Sequence, residues 1–185
     1  AKDTPFLISC PSWEQWILCW QTWTDKKFTK NMLTDKEKQE IYEETKLYPY
    51  PGAACIDALK IVQNHRGWIS DEAVEEIAAE LDMSVEEVDS VATFYTRIYR
   101  KEVGRNVILV CDSISCMIMG YESVYKHISE KLSIRFGETT PNGRFTLLPI
   151  TCLGDCDHAP ALMINDDLHN NLSINSIDEI LEKYQ

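Results

Sequence analysis

The chain has 185 residues, 26% of them charged, and a formal net charge of −12 at pH 7. That balance argues against a nucleic-acid partner, because phosphate binding needs clustered Lys and Arg, and no apolar run approaches the roughly 20 residues that span a bilayer. The opening Ala-Lys-Asp-Thr-Pro lacks the basic-then-apolar pattern of a leader, so the expectation is a cytoplasmic protein of one domain or two small ones, meeting a membrane only through partners.

Residues 1–31 read as a Trp-rich N-terminal extension. Trp13, Trp16, Trp20 and Trp23, with Ile17, fall on one face of a short helix. Ser12 and Gln15 fit a capping box behind Pro11. No basic residue stands between positions 3 and 25 to meet anionic lipid. A helix packed on its own chain is therefore preferred over a membrane-interface or docking helix.

Residues 32–103 read as a helical bundle domain. Thr34-x-x-Glu37 opens a charged helix that stops before Tyr48-Pro49-Tyr50-Pro51. Pro51 suits the first turn of a second helix with Ile56, Leu59 and Val62 inward and Gly67 past its end. Ser70, followed by Asp71 and Glu72, caps a third helix carrying Val74, Ile77 and Leu81. Ser84-x-x-Glu87 caps a fourth with Val85, Val88 and Val91, and short turns between the four predict an antiparallel bundle. In Val91–Arg97 two aromatics and an arginine crowd one turn, which leaves core packing and partner contact as rival readings.

Residues 104–185 mix strands and helices. A strand over 106–110 is followed by a helix with Tyr121, Val124, Tyr125, Ile128 and Leu132 inward. Asn142-Gly143 favours a two-residue hairpin turn. Strands over 145–150 and 161–164 and a helix with Ile177, Ile180, Leu181 and Tyr184 complete the order β-α-β-β-α. The fold class is α+β, an N-terminal helical bundle followed by a thioredoxin-like domain.

Cys111-x4-Cys116 and Cys152-x3-Cys156 each sit where an apolar strand gives way to a polar loop. Two loops at the ends of neighbouring strands can bring four thiolates onto one soft metal centre. Seven cysteines is an odd count, and Cys-x-x-Cys is absent, so neither a complete disulfide set nor dithiol chemistry fits. Met119 stands where a plant-type ferredoxin needs its third cysteine. A Rieske site would need two histidines in place of two cysteines, and His158 is read as a surface side chain. A [2Fe–2S] cluster is favoured over structural zinc, whose sites mostly include a two-residue gap, but spacing leaves both open. Cys10, Cys19 and Cys55 have no close partner and read as free thiols or small core residues. No residue reads as catalytic: Gly-x-Gly-x-x-Gly is absent, and the glycines stand singly.

Cys111-Asp112-Ser113-x-x-Cys116 followed by Gly120-Tyr121, and Gly143–Leu147 running into Cys152-Leu153-Gly154-Asp155-Cys156-Asp157, resemble the NuoE-type subunit family of bacterial NADH:quinone oxidoreductase, respiratory complex I. Ala159-Pro160, Ile164-Asn165, Ala58–Gln63, Arg66-Gly67-Trp68 and Val91–Tyr95 extend the likeness, which runs from Leu33 to the C-terminus and leaves out 1–31. It implies one [2Fe–2S] cluster in the thioredoxin-like domain, held by Cys111, Cys116, Cys152 and Cys156 with one pair of thiolates per iron. It also implies a partner subunit that binds NADH and FMN, neighbouring peripheral-arm subunits, and a place on the cytoplasmic face of the inner membrane. Gly154 would let backbone N–H groups approach the sulfurs, and Asp112, Asp155 and Asp157 would oppose reduction. The equivalent subunit of an NAD-linked hydrogenase or formate dehydrogenase, and a zinc-stapled interaction module, are the alternatives.

Overall fold

The structure, a computed structural model, describes residues 33–184. The tryptophan stripe of 1–31, with Cys10 and Cys19, lies outside the described residues.

The helices begin where side chains satisfy the free N–H groups of a first turn. Helix α1 spans Asp35–Thr45, with Thr34 and Glu37 closing a reciprocal capping box. A 3₁₀ turn, Pro51–Ala54, then leads into α2, Cys55–Arg66, so Pro51 opens this turn and not the helix itself. Gly67 ends α2 in the left-handed region, at φ 85°. Helices α3, Asp71–Leu81, and α4, Val85–Phe94, start at the Ser70 and Ser84 caps. Leu33, Ile41, Leu59, Val62, Ile69, Ile77, Leu81 and Val88 form their shared core. Val85 departs from the expected inward face: it is the first residue of its helix and stands exposed, and Ala92 takes the buried position instead. Cys55 is buried in this core, the small apolar role expected of it, and burial pushes its thiol pKa up.

Glu37 ties the first helix to the second. Its carboxylate accepts from Arg66 Nε at 2.7 Å and Arg66 Nη2 at 2.8 Å, and from the Thr34 N–H at 2.6 Å. Burial pushes the Glu37 pKa up, yet Arg66 and Thr34 overcome it and leave the group at about 2.

The second half is a four-stranded sheet in the order β2-β1-β3-β4. Strand β1, Asn106–Cys111, pairs parallel with β2, Phe145–Ile150, and antiparallel with β3, Leu162–Ile164. The parallel pair needs a crossover, supplied by α5, Ile114–Ile118, and α6, Tyr121–Leu132. The edge strand β4, Asp167–His169, was not predicted. It joins β3 through Asn165-Asp166, with Asn165 at φ 55°, and three residues are too short for alternation to reveal. Helix α7, Ile174–Lys183, closes the chain. One sheet face packs Ile108, Val110 and Leu147 against Ile128 and Ile177; Val107, Leu109 and Ile150 belong to a smaller cluster with Cys111 and Cys116.

The Asn142-Gly143 turn is wider than the two-residue turn expected. Thr140 N–H donates to the Phe145 carbonyl at 2.8 Å, so four residues lie between the closing pair. Gly143 has a positive φ and Asn142 does not, whereas a type I′ turn needs both. The Asn142 side chain instead accepts from the Thr140 hydroxyl and the Arg144 N–H.

Residues 95–105 join the two halves. Arg97 donates to the Asn165 carbonyl and to the Asp166 carboxylate, pinning this segment to the β3–β4 turn. Gln63 accepts from the Tyr99 N–H at 2.7 Å and donates to the Arg97 carbonyl at 2.9 Å. Beside β1, Gly104 packs so closely on the next loop that a Cβ there would meet the Gly143 oxygen at 3.0 Å and the Arg144 and Phe145 carbonyl carbons at 3.1 Å. Backbone cannot swing aside as a side chain can. Gly104→Ala is expected to cost about 1–3 kcal/mol, read as a lower denaturation midpoint; an unchanged midpoint would show that the loop yields.

Candidate metal centre

Cys111 ends β1 opposite Ile150, the last residue of β2, so the register alone brings both cysteine loops to one end of the sheet. The Cys111 N–H donates to the Ala161 carbonyl at 3.2 Å and the Asp112 N–H to the Ile150 carbonyl at 3.1 Å, fixing where the first loop leaves the sheet. Cys116 follows on α5, one short turn later, and is buried beside Cys111. Cys152 leaves β2 by two residues. Cys156 opens the 3₁₀ turn Cys156–His158, against which α5 packs.

The four thiols come as two pairs. Cys152 Sγ and Cys156 Sγ stand 3.8 Å apart. Cys116 is pushed up to a pKa of about 11 by burial and then by the adjoining Cys111 thiol, with Cys156 adding to it. The pairs also differ in exposure: Cys111 and Cys116 are buried, Cys152 and Cys156 exposed. A single tetrahedral zinc takes four equivalent thiolates, whereas two irons take one pair each; four soft thiolates in two pairs, one buried and one exposed, are a donor set that fits the two-iron group.

Gly154 acts as expected. At φ 82° its N–H donates to Cys152 Sγ at 3.3 Å, and this bond is the main reason the Cys152 pKa is lowered. The Cys156 thiol is raised instead, chiefly by its contact with Cys152. Asp155 is tied down from two sides, accepting from Asn170 Nδ2 at 2.7 Å and lying 2.6 Å from His158 Nδ1. His158 is a half-exposed surface side chain, and the Asp155 hydrogen bond, then the Asp157 charge, raise its pKa. These contacts anchor the second cysteine loop to the end of β4, a support the sequence did not reveal because β4 itself went unseen.

Short α5 was also missed. It carries Cys116 together with Ile114, Met117 and Ile118, and its exposed apolar side chains hide the inward periodicity that marks a helix. Phe94 and Tyr95 are exposed at the end of α4, so core packing does not account for these two aromatics, whereas Val91 and Ala92 of the same segment do pack on the helical core.

Residues 41–185 match the family model described as thioredoxin-like [2Fe-2S] ferredoxin. The chain is 48% identical over 153 residues to the E subunit of the NADH-quinone oxidoreductase of Pseudomonas aeruginosa, covering 83% of this chain and 92% of that one. With the E subunit from Escherichia coli (strain K12) the identity is 47% over the same shares. Among solved structures, an air-oxidised NAD+-reducing [NiFe]-hydrogenase superposes with a TM-score of 0.61 at 24% identity, over 71% of this chain and 23% of that chain. That likeness is one of fold.

Proposed function

This chain belongs to the thioredoxin-like [2Fe–2S] ferredoxin family, and we infer that it is the electron-transfer E subunit of an NADH–quinone oxidoreductase. It holds one [2Fe–2S] cluster that exchanges electrons with the FMN of the NADH-oxidising partner subunit. The observation that carries the reading is the 47–48% identity across nine-tenths of two E-subunit chains, together with two cysteine pairs at one end of the sheet. The hydrogenase alternative has a likeness of fold alone behind it.

We assign Cys111 and Cys116 to one iron and Cys152 and Cys156 to the other. When bound, the cluster supplies a one-electron couple, its formal charge with four thiolates falling from about −2 to about −3. The chain's own groups set how costly that extra charge is. The Gly154 N–H donates toward a ligand sulfur and favours it, while Asp112, Asp155 and Asp157 oppose it. One apolar core among the helices and two clusters on the faces of the sheet support the division into a helical domain over 32–103 and a cluster domain over 104–185. Assembly in the peripheral arm on the cytoplasmic side of the membrane, alongside a quinone-reducing and translocating machinery, belongs to the same reading. No described helix is long and apolar enough to cross a membrane.

With NADH and ferricyanide, the purified holo-protein is expected to show no turnover alone and to gain NADH-dependent reduction of its own cluster once the flavoprotein is added. Turnover by the isolated chain, free of flavin, would replace the electron-carrier reading with that of a complete dehydrogenase.

A further inference from the structure

The two cysteine pairs differ in what can reach them. Cys111 and Cys116 are 2% and 1% exposed, whereas Cys152 and Cys156 face solvent with their sulfurs in contact at 3.8 Å. A disulfide holds its sulfurs at about 2.05 Å, so side-chain rotation that closes about 1.8 Å joins the exposed pair. The loop between them is held by contacts that involve no metal. Asp155 accepts from Asn170 Nδ2 at 2.7 Å and lies 2.6 Å from His158 Nδ1, and the Gly154 N–H donates to Cys152 Sγ at 3.3 Å. Cys152 and Cys156 are therefore neighbours by virtue of the fold, before any iron draws them together.

The lack of a Cys-x-x-Cys run removes thioredoxin-type catalysis, but a single closure of two thiols asks only for contact and access. We propose that Cys152 and Cys156 form a thiol–disulfide gate on cluster loading. In the chain that has yet to receive its cluster, a low-molecular-weight disulfide such as glutathione disulfide closes the pair, and a thiol reductant must reopen it before iron binds. The Cys152 thiolate attacks one sulfur of the oxidant, forming a mixed disulfide and releasing one glutathione thiolate. The Cys156 thiolate then attacks the Cys152 sulfur, forming the Cys152–Cys156 bond and releasing the second. Two protein thiols are oxidised, one glutathione disulfide is reduced to two thiols, and the two protons pass from the cysteines to the released glutathione. A resolving thiol already in contact makes the second step intramolecular and fast. Burial keeps an oxidant of this size from Cys111 and Cys116. Closure also keeps the exposed sulfurs off the irreversible sulfinic step. The proposal rests on reading these two cysteines as the ligands of one iron.

The test treats purified holo-protein, without oxygen, with an iron chelator and glutathione disulfide together, so that the thiols are caught as iron leaves. After unfolding in an alkylating agent, five of the seven cysteines are expected to be alkylated, with peptide mapping placing the one bridge between Cys152 and Cys156. Given ferrous iron and sulfide, this bridged chain is expected to regain the visible absorption of a cluster at least about tenfold more slowly than a reduced control, because two of its four soft ligands are tied up. Dithiothreitol should restore the control rate. In Cys156→Ser the attacked Cys152 has no resolving thiol, and the chain is expected to retain one glutathione by mass. A bridge or glutathione on Cys111 or Cys116, a bridge to Cys10 or Cys19, glutathione retained on wild-type Cys152, or seven free thiols overturns the proposal. So does a bridged chain that loads iron at the control rate. A chain purified without iron while its thiols are reduced would instead remove the electron-carrier reading and the gate with it, an outcome that a failed thiol map in an iron-bearing protein does not imitate.

Discussion

Serine at Cys111, Cys116, Cys152 or Cys156 is expected to cost the protein its cluster, whereas serine at Cys55 is expected to cost only stability. The first four stand at one sheet end in two pairs, 3.8 Å apart in the exposed one. An iron left with one thiolate and one weaker alkoxide ligand is a poorer soft site. Iron per chain should fall from two toward zero, and the reduced-state EPR signal should vanish or change shape. Cys55 lies in the helical core, remote from that end. A buried hydroxyl there costs on the order of 1–3 kcal/mol without touching the iron. Cluster loss in Cys55→Ser at a temperature where the protein stays folded would sink the ligand assignment. So would a full iron content in all four ligand variants.

Glu37→Gln is expected to destabilise the helical half by roughly 2–4 kcal/mol, the cost of breaking a buried ion pair from one side. The Glu37 side chain is 2% exposed and its Arg66 partner 23%, so solvent screens the pair little. A pKa of about 2 in the fold against 4.5 unperturbed corresponds to about 3 kcal/mol. Because the folded pKa is depressed, that stability is present above pH 4.5 and is lost as pH falls toward 2. Denaturation midpoints followed by circular dichroism between pH 2 and 7 should show the wild-type advantage shrinking below pH 4.5. The Gln variant should lack this part of the slope. Parallel curves for the two proteins would mean that Arg66 contributes packing and not charge.

Helix starts in the first half were legible because a cap is a local device. Thr34 with Glu37, Ser70, and Ser84 with Glu87 satisfy N–H groups within three residues, and each begins the helix predicted from it. The apolar face of α6 followed from its 3.6-residue period, and Val124 and Ile128 are buried as expected. The two cysteine pairs, and the family likeness they carry, were also readable, since four soft ligands at paired spacing restrict the metal chemistry before any fold is known.

Other features depend on residues far apart in the chain. Glu37 read only as the capping partner of Thr34, and its burial and ion pair became visible only once Arg66, 29 positions away, was in place. Arg97 and the Asn165-Asp166 turn meet across 69 positions. Strand β4 and helix α5 are too short to show a period, so pairing with β3 and packing against the second cysteine loop decide them. By itself the sequence determined where helices start, which faces are apolar and which atoms are soft enough to bind iron, because these follow from neighbours along the chain. Only the tertiary structure decided which pair of thiols is buried and which apolar side chains of α5 are left facing water, because exposure is set by what folds over a residue and not by what adjoins it.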